Sequence, residues 1–218
     1  MEQSVLYSKV RVLHAACFAP VLCVMIGNRE VVKELCYGES SGYVRVTGGF
    51  RRVSVTCKES GEELVVETIP FPEGSQMTLV VCNTMNKLSL VVMPEVTCNA
   101  GKGKGALRVA NYTFDDGPFQ VMQGSEAVYS CVSACTCTPF LPAAAGTYDL
   151  WLAKTDSCIE VDEEACSLKS DGADSQKEDG VKPEVEIHVK VMPGISYTAC
   201  ILGACDSSVP LDVRILEF

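Results

Sequence analysis

The stretch Lys9 to Gly27, K-V-R-V-L-H-A-A-C-F-A-P-V-L-C-V-M-I-G, recurs as Ala106 to Gly124, A-L-R-V-A-N-Y-T-F-D-D-G-P-F-Q-V-M-Q-G. Val10-Arg11-Val12 answers Leu107-Arg108-Val109, and Val24-Met25 with Gly27 answers Val121-Met122 with Gly124, at a constant offset of 97 residues. Tyr43 and Phe140, Gly49 and Gly146, Val53 and Leu150 keep the same offset. A register held over this span marks a tandem repeat, and a repeat fixes the architecture before any local pattern does. The 218 residues then divide into two ordinary domains. The expected division is 1–96 for the first repeat, 97–105 (T-C-N-A-G-K-G-K-G) for a short linker and 106–218 for the second.

Each repeat reads as a series of short strands. Tyr7 to Leu13 alternates apolar and polar residues, and Val21 to Ile26 leads into Gly27-Asn28, a two-residue hairpin signal because both residues tolerate positive φ. Glu30 to Leu35 returns, and Gly124-Ser125 repeats the device. Arg51 to Lys58 places Val53, Val55 and Cys57 on one face. Later strands are predicted at Leu64 to Ile69, Gln76 to Cys82 and Leu88 to Met93, then at Tyr148 to Lys154, Glu184 to Val191, Ile195 to Leu202 and Leu211 to Phe218. No stretch carries a helical period. The predicted fold is all-β: two tandem immunoglobulin-like antiparallel β-sandwich domains. After Lys154 the offset grows to 120, since Gly74 answers Gly194; the extra residues fall at about 160–182, where eight acidic residues and three lysines predict a solvated loop.

Composition narrows the function. A net charge of −10 without a basic cluster disfavours nucleic acid and anionic membranes. No apolar run approaches the ~18 residues that span a bilayer, which argues against membrane insertion. The start Met1-Glu2-Gln3-Ser4-Val5 lacks a basic, then apolar, leader. The expectation is synthesis in the cytoplasm. Thirteen cysteines, an odd number, leave at least one thiol unpaired in a monomer and open self-association through cysteines in an oxidising place.

Val10-Arg11-Val12-Leu13-His14-Ala15 with Ala19-Pro20, and later Ala144-Ala145-Gly146-Thr147-Tyr148-Asp149-Leu150, carry a resemblance. They are similar to a bacterial family of tandem β-sandwich domains of unknown function, whose repeats open V-R-V-x-H-A-S-P-x-A-P and continue to an A-G-T-Y turn. The chain departs at Ala16-Cys17, where that pattern has Ser-Pro, at Asn111, where it has His, and in its many cysteines. The resemblance implies a sandwich fold and an envelope-associated or secreted setting, and it implies no activity.

Candidate chemistry is sparse. His14, at a strand end, has the residue type of a base, ligand or binding group. Its repeat partner is Asn111, which hydrogen-bonds but does not titrate, so a loop-satisfying role is favoured. His188 alternates with Glu186 and Lys190 on a polar strand face. Cys131, Cys135 and Cys137 form the densest thiol group, and they support an alternative reading as a cytoplasmic thiol or zinc-binding protein. Three ligands without knuckle spacing fall short of a structural zinc set, so no cofactor is expected. Cys158 and Cys166 flank the acidic insertion as a pair that oxidation would staple. Asp115-Asp116 and Asp162-Glu163-Glu164 lack a calcium-loop spacing, and the sequon Asn111-Tyr112-Thr113 is read as chance. Trp151 alternates with Tyr148, Leu150 and Leu152 and is expected to point outward, as cover for an edge or for the acidic insertion, or as a contact for another domain or partner. No carboxylate pair or nucleophile–base pair is visible. The chain is thus expected to be no enzyme but a structural or binding protein, of a bacterial cell surface or spore layer, with a protein or surface polymer as partner.

Overall fold

A computed structural model describes residues 7–84, 87–114, 117–155, 168, 184–205 and 207–218. Among these the chain is all strand, turn and loop, and no helix long and apolar enough to cross a membrane occurs. It forms two compact units, Met1–Val96 and Thr97–Phe218. The acidic stretch 160–182, apart from Leu168, lies outside the described residues, as do Cys158, Cys166, Asp162, Glu163, Glu164, Asp115 and Asp116.

The first unit runs β1 (Tyr7–His14), β2 (Leu22–Ile26), β3 (Arg29–Leu35), β4 (Val44–Thr47), β5 (Gly49–Cys57), β6 (Glu63–Phe71), β7 (Gln76–Thr84) and β8 (Lys87–Pro94). They build two four-stranded sheets, β4-β1-β7-β8 and β3-β2-β5-β6. The second unit runs β9 (Lys104–Asn111), β10 (Phe119–Gln123), β11 (Glu126–Val132), β12 (Thr136–Cys137), β13 (Leu141–Ala144), β14 (Gly146–Lys154), β15 (Val185–Val191), β16 (Ser196–Leu202) and β17 (Asp212–Glu217). Its sheets are β12-β9-β16-β17, with β13 also on β9, and β11-β10-β14-β15.

The repeat holds at the level of hydrogen-bond register. The strands β1, β2, β3, β4 and β5 recur as β9, β10, β11, β13 and β14 with both ends displaced by 97. Lys9 pairs with Gln76 and Ala106 with Ser196, so β7 and β16 follow the larger offset of 120. Pairing is antiparallel except at β1–β7 and β9–β16, which are parallel. This exception to the expected antiparallel pattern arises because the chain visits both sheets between those strands, as a parallel pair requires.

Period-two alternation turns one face of every sheet inward. In the first unit Val10, Val12, Leu79 and Val81 meet Val24, Val53, Val55, Ile69 and Phe71 in one buried cluster. In the second, Leu107, Val109, Tyr197 and Ile201 meet Val121, Tyr148, Leu150, Leu152 and Ile187. The end of the Gly/Lys-rich stretch is already strand, because β9 begins at Lys104. Gly105 is needed there: a Cβ would stand 2.5 Å from the Met192 carbonyl oxygen and 2.7 Å from that of Ile195.

Candidate functional site

Among the described residues a cavity lies in the second unit, where the edge strand β11 faces the β12–β13 segment. It encloses about 320 Å³ and is lined by Tyr129, Ser130 and Cys131 on one side and Cys137, Thr138 and Phe140 on the other. Its polar groups are largely engaged. Tyr129 donates its hydroxyl to the Leu107 carbonyl (3.0 Å) and the Pro139 carbonyl (3.1 Å). Thr138 Oγ1 accepts from the Val109 N–H at 3.0 Å. Cys137 Sγ lies 3.5 Å from the Tyr112 hydroxyl. Local backbone makes the corner: Cys135 sits at φ +58°, where the first repeat has Gly38 at φ +78°.

Two of the three grouped cysteines thus line one cleft, but they do not form a metal site. Cys131 is disulfide-bonded, so its sulfur is no longer a thiolate ligand. Cys135 and Cys137 are half-buried thiols. No group of three or more His, Cys, Asp or Glu among the described residues is arranged to hold a metal ion. The zinc alternative built on Cys131, Cys135 and Cys137 is corrected on that ground. A thiol with a lowered pKa lies elsewhere: Cys57 at the β5–β6 turn, held below its ordinary range by the Ser60 hydroxyl and then by the backbone N–H groups of Ser60 and Glu59.

Trp151 does lie on the face opposite Tyr148, Leu150 and Leu152, since it pairs with Met122 on β10 and Glu186 on β15. It is nevertheless buried, with 7% of its surface exposed. Its indole N–H donates to the Gly124 carbonyl at 3.0 Å, which pins the β10–β11 turn. The indole therefore points away from the core and yet is buried, tied to the β10–β11 hairpin.

His14 is fully buried. Its Nε2 lies 3.1 Å from the Pro20 carbonyl and its ring meets Tyr37 edge-on at 6.0 Å. Burial holds its pKa below the ordinary 6.5. At the equivalent place Asn111 donates to the Val132 carbonyl at 3.0 Å and accepts from the Thr113 N–H at 3.0 Å, so the sequon residue is buried and used. His188 is exposed and paired with Asp149 across β14 and β15, and that hydrogen bond, before all else, raises its pKa.

Sequence reading passed over Arg11. It points away from the core, and Nε donates to Thr78 Oγ1 (2.9 Å) and Glu95 Oε1 (2.8 Å). Tyr43 and Gln76 donate to the other Glu95 oxygen, and the guanidinium lies 4.8 Å from the Tyr43 ring centre. Burial and then the Glu95 hydrogen bond push the Tyr43 phenol upward. In the second unit Arg108 again donates to a threonine, Thr198, at 2.9 Å, but stacks 4.4 Å over Phe140 and 5.9 Å from Phe218. The available signal was an arginine inside an apolar strand, kept at the 97-residue offset.

A family model described as a domain of unknown function (DUF4397) matches residues 8–122. The chain belongs to the DUF4397 family. The match runs from within β1 to within β10, so it takes in nearly all of the first repeat and the opening of the second. No curated protein matches the DUF4397 chain. Among solved structures it is similar to a carbohydrate-binding module (family CBM26) from Eubacterium rectale Amy13K in complex with maltoheptaose. Identity is 10%, coverage is 96% of this chain and 97% of that one, and the TM-score is 0.29. At that score the likeness bears on neither fold nor ligand.

Proposed function

We propose that this chain is a non-enzymatic structural or binding protein that serves at the bacterial cell surface or in a spore layer, where its thiols link it to neighbouring chains. The observation that carries the reading is the placement of the free cysteines. Cys23, Cys36, Cys98 and Cys137 are free thiols, half-buried rather than enclosed, so they lie within reach of an oxidant or a second chain. The polar constellation common to both repeats supports the non-catalytic part. Arg11–Thr78 and Arg108–Thr198 are tied side chain to side chain within their own sheets, which suits a scaffold. The titratable groups follow suit, with His14 spent on its loop and His188 on Asp149.

The test uses the native material. Envelope, spore and cytoplasmic fractions are alkylated without reductant, and intact mass and non-reducing electrophoresis are read together. The proposal expects the chain in an envelope or spore fraction as disulfide-linked species that reductant releases. Monomer with all free thiols alkylated, found in the cytoplasmic fraction, overturns it.

A further inference from the structure

Both repeats bulge at the same place on the same strand. On β11 the register passes from Val132 to Tyr129 while β10 advances only from Phe119 to Val121, so β11 bulges at Ser130 and Cys131. On β3 it passes from Leu35 to Val32 while β2 advances from Leu22 to Val24, a bulge at Lys33 and Glu34. The 97-residue offset carries Lys33 to Ser130, Glu34 to Cys131 and, on the facing segment, Glu39 to Thr136. Three charged positions of the first repeat are thus neutral in the second, although 97–218 hold eighteen of the chain's twenty-eight Asp/Glu. Ser130, Cys131 and Thr136 all line the cavity of about 320 Å³ between β11 and the β12–β13 segment, and none of the described residues around it is charged. The bulge is common to the fold; the neutral walls belong to the second repeat alone.

We propose that this cavity binds a small neutral ring molecule with hydrogen-bond donors on its rim, a hydroxylated ring. Its volume sits at the low end of the roughly 300–1,000 Å³ of ligand pockets, which suits a single ring. A charged ligand would give up its hydration with no opposite charge on these walls to replace it, and the acidic second half repels anions besides. The hydroxyls set the sense of hydrogen bonding. Thr136 donates to the Ser133 carbonyl at 2.7 Å, and Thr138 donates to the Pro139 carbonyl at 3.1 Å. With those protons spent, both oxygens offer a ligand only lone pairs, so the ligand has to donate. Val128, Phe140 and Leu141 supply apolar wall. The Arg108 guanidinium, 4.4 Å from the Phe140 ring centre, holds that wall in place before anything binds. A hydroxylated ring answers both kinds of surface, with an apolar body and an O–H rim. The site makes no use of thiol linkage and so goes beyond the cross-linking reading.

Saturation-transfer NMR and timed alkylation of the full-chain monomer test this, without reductant so that Cys131 stays oxidised. Phenol and myo-inositol are the probes. Toluene, a ring without a donor, and benzoate, an anion, are the controls. At least one hydroxylated probe takes up saturation, and which one does names the ring as aromatic or polyol. At about ten times its Kd that probe slows alkylation of Cys137, which borders the cavity, roughly ten-fold, because only the empty sites react. Cys23 and Cys36 of the first repeat keep their rates. Ser130→Phe fills the cavity from a half-buried edge position and removes both signals, with circular dichroism confirming its fold. The control ligands read the wild-type chain and do not depend on that variant. No transfer to either hydroxylated probe, equal transfer to toluene or benzoate, or equal slowing at Cys23 and Cys36 overturns the proposal. A folded Ser130→Phe that binds as before overturns it too. These readings concern a ligand on the monomer, so their failure leaves the cross-linking reading standing.

Discussion

His14 and Asn111 stand at the same place in the two repeats, and what separates them is a proton. Burial depresses the His14 pKa below 6.5, so the fold prefers the neutral ring. In the window between the depressed value and the ordinary one the unfolded chain binds the extra proton, and stability falls as pH falls through it. For one group the slope is at most about 1.4 kcal/mol per pH unit. His14→Asn should flatten the acid limb that begins below about pH 6.5. Thermal melts of both forms at several pH values check this, and a wild-type limb retained in His14→Asn sinks it. His188 works in the opposite sense, since a raised pKa stabilises at low pH and fades as pH rises. With its side chain 64% exposed, solvent screening leaves that effect too small to mask the first.

At the scale of elements, the pairing of β1 with β7 and the closure by β8 depend on a polar knot that alternation alone does not reveal. Glu95 neutralises Arg11 in the first unit. Its counterpart in the second is Phe218, whose N–H reaches the Ser196 carbonyl as that of Glu95 reaches Gln76. Glu95→Ala should therefore cost about 3–5 kcal/mol, because it strands a buried guanidinium. Glu95→Phe should cost at least ~1 kcal/mol less, since the ring offers Arg11 the stacking that Arg108 has. Urea unfolding of the three proteins decides it; equal losses in both variants count against the stacking argument. The strands themselves were legible, because Val53-x-Val55-x-Cys57 and the Gly27-Asn28 turn state period and reversal locally. The knot was not, because Arg11 and Glu95 are 84 residues apart and meet only through register. Trp151 misled for a related reason. Its outward direction follows from parity, but its burial and its bond to the Gly124 carbonyl depend on how the β10–β11 hairpin is placed beside β14.

For the whole molecule, the tandem plan was readable from the constant 97-residue offset, and cysteine chemistry was not, because exposure and pairing arise only when strands are assembled. The assembled chain sorts its thiols into three classes that differ in rate. Among the described residues, Cys23, Cys36, Cys98, Cys135, Cys137 and Cys205 are half-buried thiols, Cys17, Cys57, Cys82 and Cys200 are buried thiols, and Cys131 is oxidised. The first class should alkylate in the native protein on the reagent's own timescale. The second should wait for unfolding, since a thiol enclosed in a sheet reacts only when its strand opens. Cys131 should react only after reduction. Peptide-resolved mass spectrometry of a timed alkylation, native and then denatured and then reduced, reads all three. Early labelling of Cys82 or Cys200 would mean that β7 or β16 opens far more easily than its central place between two hydrogen-bonded neighbours allows. Protection of all six half-buried thiols would remove the groups on which cross-linking of chains depends, whatever compartment the protein occupies.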